Sequence, residues 1–232
     1  MMRVLESPEA VAPAPDFDRL AGVYRWMEAL SFGPWLGRCR CAFLPDMRTA
    51  QRALVVGDGD GRFTVRLLQE NPMVEIDAVD ISPAMLRALV RKAGQHADRV
   101  HAKVADARSW SPDTWADGRG PGYDLVVTHF FLDCLTTAEV GALAARVRTL
   151  VADDATWVVS EFAVPAGWFG RLVAGPVVGF LYRAFGWMTG LRVRSLPDHA
   201  FALEQTGFRL CRRRSWLGGL LVSECWGGHP PC

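Results

Sequence analysis

Apolar residues recur three and four positions apart at Leu20, Val23, Tyr24, Met27 and Leu30, which predicts one or two helices between Phe17 and about Phe43. At Arg52 the pattern changes. "RALVV" is a continuous apolar run and reads as a buried strand, Arg52 to Val56. It stops at three glycines spaced two apart, and an amphipathic helix follows from about Arg62 to Glu70, halted before Pro72. Val74 to Val79 alternates and predicts a second strand ending at Asp80. "SPAMLRALVRKAG" is a marked helix, with Ser82 as its cap, Pro83 at its first position and Gly94 at its end. "RVHAKVAD" predicts a third strand ending at Asp106, and the loop "DGRGPG" leads into a fourth, "YDLVVTHF". Thr136 and Glu139 have capping-box spacing and open a helix to about Leu150. "TWVVSEF" is a fifth strand. After an apolar insert from Pro165 to about Arg194 come a short helix, "PDHAFALEQTG", and two strands, "FRLCRRRSW" and "LLVSECW", joined at Gly218-Gly219.

Strands alternating with helices predict an α/β fold: a mostly parallel sheet with helices on both faces, closed by an antiparallel hairpin at one edge. No internal repeat or second domain is evident. Residues 1 to 45 read as a Pro/Ala-rich tail and helical cap, and residues 46 to 232 as the single domain.

Half of the 232 residues are hydrophobic, enough for a large core, and the net charge of +1 gives no strong pull toward nucleic acid. The six cysteines form neither a paired C-x-x-C zinc pattern nor a dense disulfide framework, so they read as ordinary buried thiols, and no metal is expected. The first fifteen residues have no continuous apolar core and include Glu6 and Glu9, which argues against a signal peptide and for a cytoplasmic protein. The insert is broken by Arg171, Pro176 and Arg183 and makes a poor membrane span, though it suits a membrane surface or an apolar pocket.

In an open α/β sheet, ligands bind at the carboxyl ends of the strands near the switch in strand order. Gly57, Gly59 and Gly61 follow the first strand and allow close approach and positive φ. The dinucleotide spacing G-x-G-x-x-G fails in both registers, with Arg62 or Thr64 at the third position, and no Gly-Lys-Ser/Thr supports a phosphate loop. Asp58 and Asp60 in the loop disfavour phosphate and favour an ammonium or sulfonium. Asp80 ends strand two, where a carboxylate takes ribose hydroxyls, and Asp106 ends strand three, placed for an adenine edge. An amino-acid head, a ribose and an adenine without phosphate describe S-adenosylmethionine.

These residues resemble those of the class I S-adenosylmethionine-dependent methyltransferases, from about Phe17 to Trp226. "VVGDGDG" resembles the family's first motif, "VDISPAML" its ribose turn, "VADARSW" its adenine-side turn, "YDLVVTHFFLDCL" its fourth strand and active-site loop, and the last two strands its closing hairpin. The resemblance implies a Rossmann-like seven-stranded sheet and a cofactor held by Gly57, Asp58, Gly59, Gly61, Asp80, Ile81, Asp106 and Ala107. In one departure, Val55 stands where the family carries an acidic residue, leaving its role near the cofactor's amino group to Asp58. A looser resemblance to the ubiquinone/menaquinone C-methyltransferases rests on "FDRLAGVYRWME" and makes Tyr24 a cofactor contact or a core residue.

Methyl transfer from a sulfonium needs the reactants held in line, and a general base only where the acceptor loses a proton. His129 is the favoured base, because imidazole titrates near neutrality, against a structural histidine. Asp133 reads equally as base or as cap of the next helix, and Glu161 is a third candidate. "THFF" lacks the Asn/Asp-Pro-Pro-aromatic segment of the nucleic-acid enzymes, and Arg212 to Arg214 read as a solvated edge strand, so no nucleic-acid partner is expected. The insert, crowded by Trp168, Phe169, Phe180, Tyr182, Phe185 and Trp187, is expected to cover the acceptor site together with the N-terminal helices. The acceptor is then apolar or aromatic (quinone-like, phenolic or lipid) and is methylated on oxygen, carbon or sulfur. The rival readings are a non-catalytic S-adenosylmethionine binder, a membrane-surface enzyme anchored by the insert, and a homodimer formed through it.

Overall fold

The computed structural model describes residues 32–110, 122–189, 193 and 195–228. Tyr24 and most of the leading helical pattern lie outside the described residues.

A seven-stranded sheet runs in the order β3-β2-β1-β4-β5-β7-β6. Its strands are β1 (Arg52–Val56), β2 (Glu75–Asp80), β3 (Val100–Val104), β4 (Tyr123–His129), β5 (Val151–Phe162), β6 (Arg209–Trp216) and β7 (Leu221–Gly227). The first five are mutually parallel; β1 aligns Ala53 with Ile76 of β2 and with Leu125 of β4. The helices are α1 (Pro34–Arg40), α2 (Arg62–Glu70), α3 (Pro83–Ala93), α4 (Thr137–Leu150), α5 (Gly175–Thr189) and α6 (His199–Gln205).

The run "ALVV" is apolar throughout because both faces of β1 are covered. Ala53 and Val55 pack with Phe63, Leu67, Leu86 and Leu89 of α2 and α3. Leu54 and Val56 pack with Val140, Leu143, Val147 and Leu203 of α4 and α6 on the other side. The helix starts follow the sequence signals. Ser82 Oγ accepts the Met85 amide at 3.2 Å, and Thr136 and Glu139 form the reciprocal box. Asn71, fully buried after α2, donates through Nδ2 to the carbonyls of Met47 and Ala50 and accepts the Met73 and Val74 amides through Oδ1.

Three features differ from the sequence expectation. β5 begins at Val151, directly after α4, because Tyr123 pairs with Val151 and a bulge then carries the polar "ADD" past the register. The hairpin's second strand takes an interior slot: β7, buried along its length, is antiparallel to both β5 and β6, while the mostly exposed β6 forms the edge. The more apolar strand occupies the doubly covered position. Cys211 on β6 is disulfide-bonded rather than an ordinary thiol, whereas Cys39, Cys41, Cys134 and Cys225 are free.

Candidate cofactor and acceptor site

β1 and β4 are neighbours, yet the helices that follow them, α2 and α4, pack on opposite faces, which opens a crevice beyond the strands' carboxyl ends. The glycine loop lies at its edge. Gly57, Gly59 and Gly61 have φ of 72°, 59° and 78°, the left-handed region that glycine enters freely. A Cβ on Gly57 would strike the Phe131 ring, and one on Gly61 would come within 2.5 Å of Leu89 Cγ. On Gly59 it would meet only Met85 Sδ at 3.8 Å. Gly59 is therefore bare backbone facing open space, as close ligand approach requires. Its amide donates to Asp80 Oδ2 at 3.2 Å, and Asp80 Oδ1 accepts the Ser82 amide at 2.8 Å. Asp80 thus bridges the loops after β1 and β2, with Ile81 beside it.

The aspartates of the glycine loop do not face a cation in the crevice. Asp58 Oδ2 accepts the Thr64 amide at 2.8 Å and hydroxyl at 2.7 Å, so the carboxylate caps α2; burial pushes its pKa up. Asp60 pairs with Lys92 of α3 at 2.5 Å and with Arg62, the first residue of α2, at 3.3 Å. They shape the loop, so they do not select a sulfonium over a phosphate. Asp106 is held by Arg108, whose Nε and Nη2 lie 3.0 and 2.7 Å from its Oδ2, and this pairing keeps the carboxyl below its ordinary value. The Ala107 carbonyl accepts Arg146 Nη2 at 2.8 Å, which fixes this turn to α4.

His129 does not sit where a base must act. Its ring is buried edge-on to Phe63, centroids 4.6 Å apart, and neither nitrogen has a partner. Burial, and then the charge of Arg40, hold it well below the ordinary histidine range, so it stays neutral. The side chain falls on the α2 face because side chains alternate along β4, which a titration argument from sequence does not register.

The next residues form the turn beyond β4. Phe130, with φ of 54°, breaks β4 sharply, and its amide donates to the Ser160 carbonyl at 2.7 Å. Glu161, 1% exposed, reaches across from β5 and accepts the Phe131 and Leu132 amides through Oε1 at 3.1 and 2.8 Å. Its Oε2 is buried with no partner. Burial and then the Asp133 charge push its pKa well above the carboxylate range, so it holds a proton. Asp133, lifted by burial to about 6, is drawn back by the Cys134 thiol, which donates to Oδ1 at 3.5 Å, and by His199. Asp133 does not cap α4; Thr136 does.

Two further residues reach this loop, Tyr182, one of the insert aromatics the sequence singles out, and His199, for which it gives no signal. Tyr182, beyond the π-helical turn Gly170–Ala174 that opens the insert's helix, donates its hydroxyl to the Asp133 carbonyl at 2.7 Å. His199 Nε2 lies 2.9 Å from Glu224 Oε2 of β7. Both come from distant stretches that only the tertiary fold brings to β4. On the insert, Ala174 and Val178 pack on Leu220, Phe32 and Phe162, while Trp168 and Phe180 point outward. The side chains of Phe185 and Trp187 lie outside the described residues.

Residues 54–156 match the sequence model of a family described as a methyltransferase domain. No curated protein matches the chain. Solved structures with the same fold include the mitomycin 7-O-methyltransferase MmcR, 16% identical with a TM-score of 0.67, which covers 91% of this chain and 60% of its own. The S-adenosylmethionine-dependent methyltransferase SibL is 20% identical, TM-score 0.64, with 94% and 63% covered. An O-methyltransferase family protein from Burkholderia thailandensis is 15% identical, TM-score 0.65, with 92% and 64% covered. The chain spans under two thirds of the length of each of these three.

Proposed function

We propose that the chain is a class I S-adenosylmethionine-dependent methyltransferase, as its match to a methyltransferase-domain family over residues 54–156 supports, and that it transfers a methyl group from S-adenosylmethionine to a hydroxyl of an apolar or aromatic small molecule. The observation that carries this reading is the bare Gly59 backbone locked to Asp80 beyond β1 and β2; the Asp133 carboxyl, in the turn that follows β4, supports it. The relatives named for O-methylation support the choice of oxygen.

The residues present fit the cofactor. Gly59 would supply the close backbone, in a loop that Gly57 and Gly61 shape, Asp80 and Ile81 the ribose side, and Asp106 and Ala107 the adenine side. The bound cofactor supplies an activated methyl on a sulfonium. The protein holds donor and acceptor in line and excludes water. Asp133, ionised above about pH 6, takes the acceptor's hydroxyl proton. Glu161, protonated, holds the loop 130–134 through its amides and does not compete for that proton. Tyr182 ties the insert to the same loop, so an acceptor lies between the apolar insert and β4.

Calorimetric titration with S-adenosylmethionine, then formation of S-adenosylhomocysteine in a screen of apolar phenols, hydroquinones and thiols, tests the reading. Binding without turnover on any acceptor favours the rival, a non-catalytic binder, for which Val55 and the engagement of Asp58 with α2 speak. Failure to bind the cofactor overturns both.

A further inference from the structure

Between Glu161 and Asp198 the chain contains no Asp or Glu, and its only charges there are Arg171, Arg183, Arg192 and Arg194. Taking these from the 26 Lys and Arg leaves 22 basic residues against 25 acidic ones in the rest of the chain. The cationic excess is therefore concentrated in one segment. That segment also carries three of the four most exposed large apolar side chains among the described residues. Trp168 and Leu172 are each 72% exposed and Phe180 is 67% exposed, with Val164 and Val173 beside them. Trp168, Leu172, Pro176 and Phe180 fall four residues apart and form one outward stripe, flanked by the exposed Arg171 and Arg183. Gly170, Ala174 and Val178 form the opposite, buried face against Leu220.

We propose that this face of the insert docks on an anionic lipid membrane, with the helix lying flat in the interface. Tryptophan and arginine around an apolar stripe are the side chains that such a position favours. Among the described residues no helix is long and apolar enough to cross a membrane, so the contact is peripheral. Charge also decides against a second copy of the chain as occupant, because a two-fold pairing of this face would set its arginines against one another. The placement has a functional consequence that rests on the proposed reaction. The insert begins just after β5, and Tyr182 on the same helix is bonded to the Asp133 carbonyl. One side of this helix meets the bilayer and the other meets the acceptor site, so an apolar acceptor passes from lipid to the crevice without crossing water.

The test is co-sedimentation of the full chain with vesicles rich in phosphatidylglycerol and with phosphatidylcholine vesicles, alongside calorimetric titration with S-adenosylmethionine. Binding to the anionic vesicles is expected, at least tenfold weaker to the neutral ones. Leu172→Glu with Phe180→Glu abolishes it, and Arg171→Gln and Arg183→Gln each weaken it about fivefold. Cofactor affinity stays unchanged in every variant, which shows that they are folded. The proposal is overturned if the full chain ignores anionic vesicles, or if the variants bind as well as the parent. It is also overturned if Leu172→Glu instead dissolves a concentration-dependent dimer, or if vesicle binding appears only after residues 1–31 are deleted. A loss of cofactor binding in the parent would sink the proposed reaction and leave the membrane result standing by itself.

Discussion

Replacing Asp133 with Asn should make the protein more stable at neutral pH while stopping methyl transfer. In the unfolded chain the Asp133 carboxyl titrates near 3.8, and in the fold burial lifts it to about 6. The native state therefore binds its proton more tightly. The stabilisation from that proton is complete below about pH 3.8 and is lost as pH rises through 6. Two decades of proton affinity at about 1.4 kcal/mol each set an upper bound of about 3 kcal/mol lost by pH 7.5. Asn is neutral, nearly isosteric and still offers an oxygen to the Cys134 thiol, so the variant escapes this cost. It also relieves Glu161 of a neighbouring negative charge. For a domain of this size the gain in Tm is up to about 10 °C at pH 7.5, shrinking to nothing near pH 4. His129 acts with the opposite sign: its neutral ring loses stability as pH falls below 6.5. The wild-type curve alone therefore mixes several titrations, those of Glu161, Asp58 and Asp106 among them, and the difference between the Asp133→Asn and wild-type curves carries the test. Thermal scans from pH 4 to 8 measure it, with turnover recorded on whichever phenol or hydroquinone the screen yields. An Asn variant that is no more stable than wild type at pH 7.5, or whose advantage persists unchanged at pH 4, would refute the account of Asp133 as a carboxylate ionised at a cost.

Three other outcomes follow from the same geometry. Asp80→Ala should weaken S-adenosylmethionine at least a hundredfold by calorimetry, since two hydrogen bonds to a charged acceptor contribute about 1.5–3 kcal/mol each; a change under fivefold would remove Asp80 from the site. His129→Leu should leave turnover within about threefold and the rise of rate through pH 6 intact, because the ring contacts Phe63 rather than the crevice; a loss of a hundredfold would return His129 to the role of base. Asn71→Ala should destabilise the fold by about 3 kcal/mol in urea denaturation, as it removes four hydrogen bonds, to the Met47 and Ala50 carbonyls and from the Met73 and Val74 amides, with cofactor affinity unchanged in the folded protein.

Much of the architecture is written locally. The apolar runs of β1 and β4, the Ser82 and Thr136 caps and the three glycines act through neighbours within a few residues, and periodicity and turn chemistry report such effects directly. Asp80 was legible for the same reason, since it ends a strand beside a glycine loop. The sequence also determined the charge segregation of the insert, because the absence of acidic residues from 162 to 197 depends on no fold. Which way the side chains turn was decided elsewhere. Asp58 and Asp60 looked like ligands for a cation, but helix α2 and Lys92 claim them. His129 looked like the base because its free imidazole titrates near neutrality, yet the alternation of β4 sends it under Phe63, where desolvation outweighs that preference. Asp133 and Glu161 came to feel each other's charge only when β5 was laid beside β4, twenty-eight residues later in the chain. Tyr182 and His199 arrived from still further away. A sequence sets backbone conformation through short-range sterics and hydrogen bonding, whereas the charge state and reach of a buried side chain depend on everything packed around it, and that environment exists only in the assembled sheet.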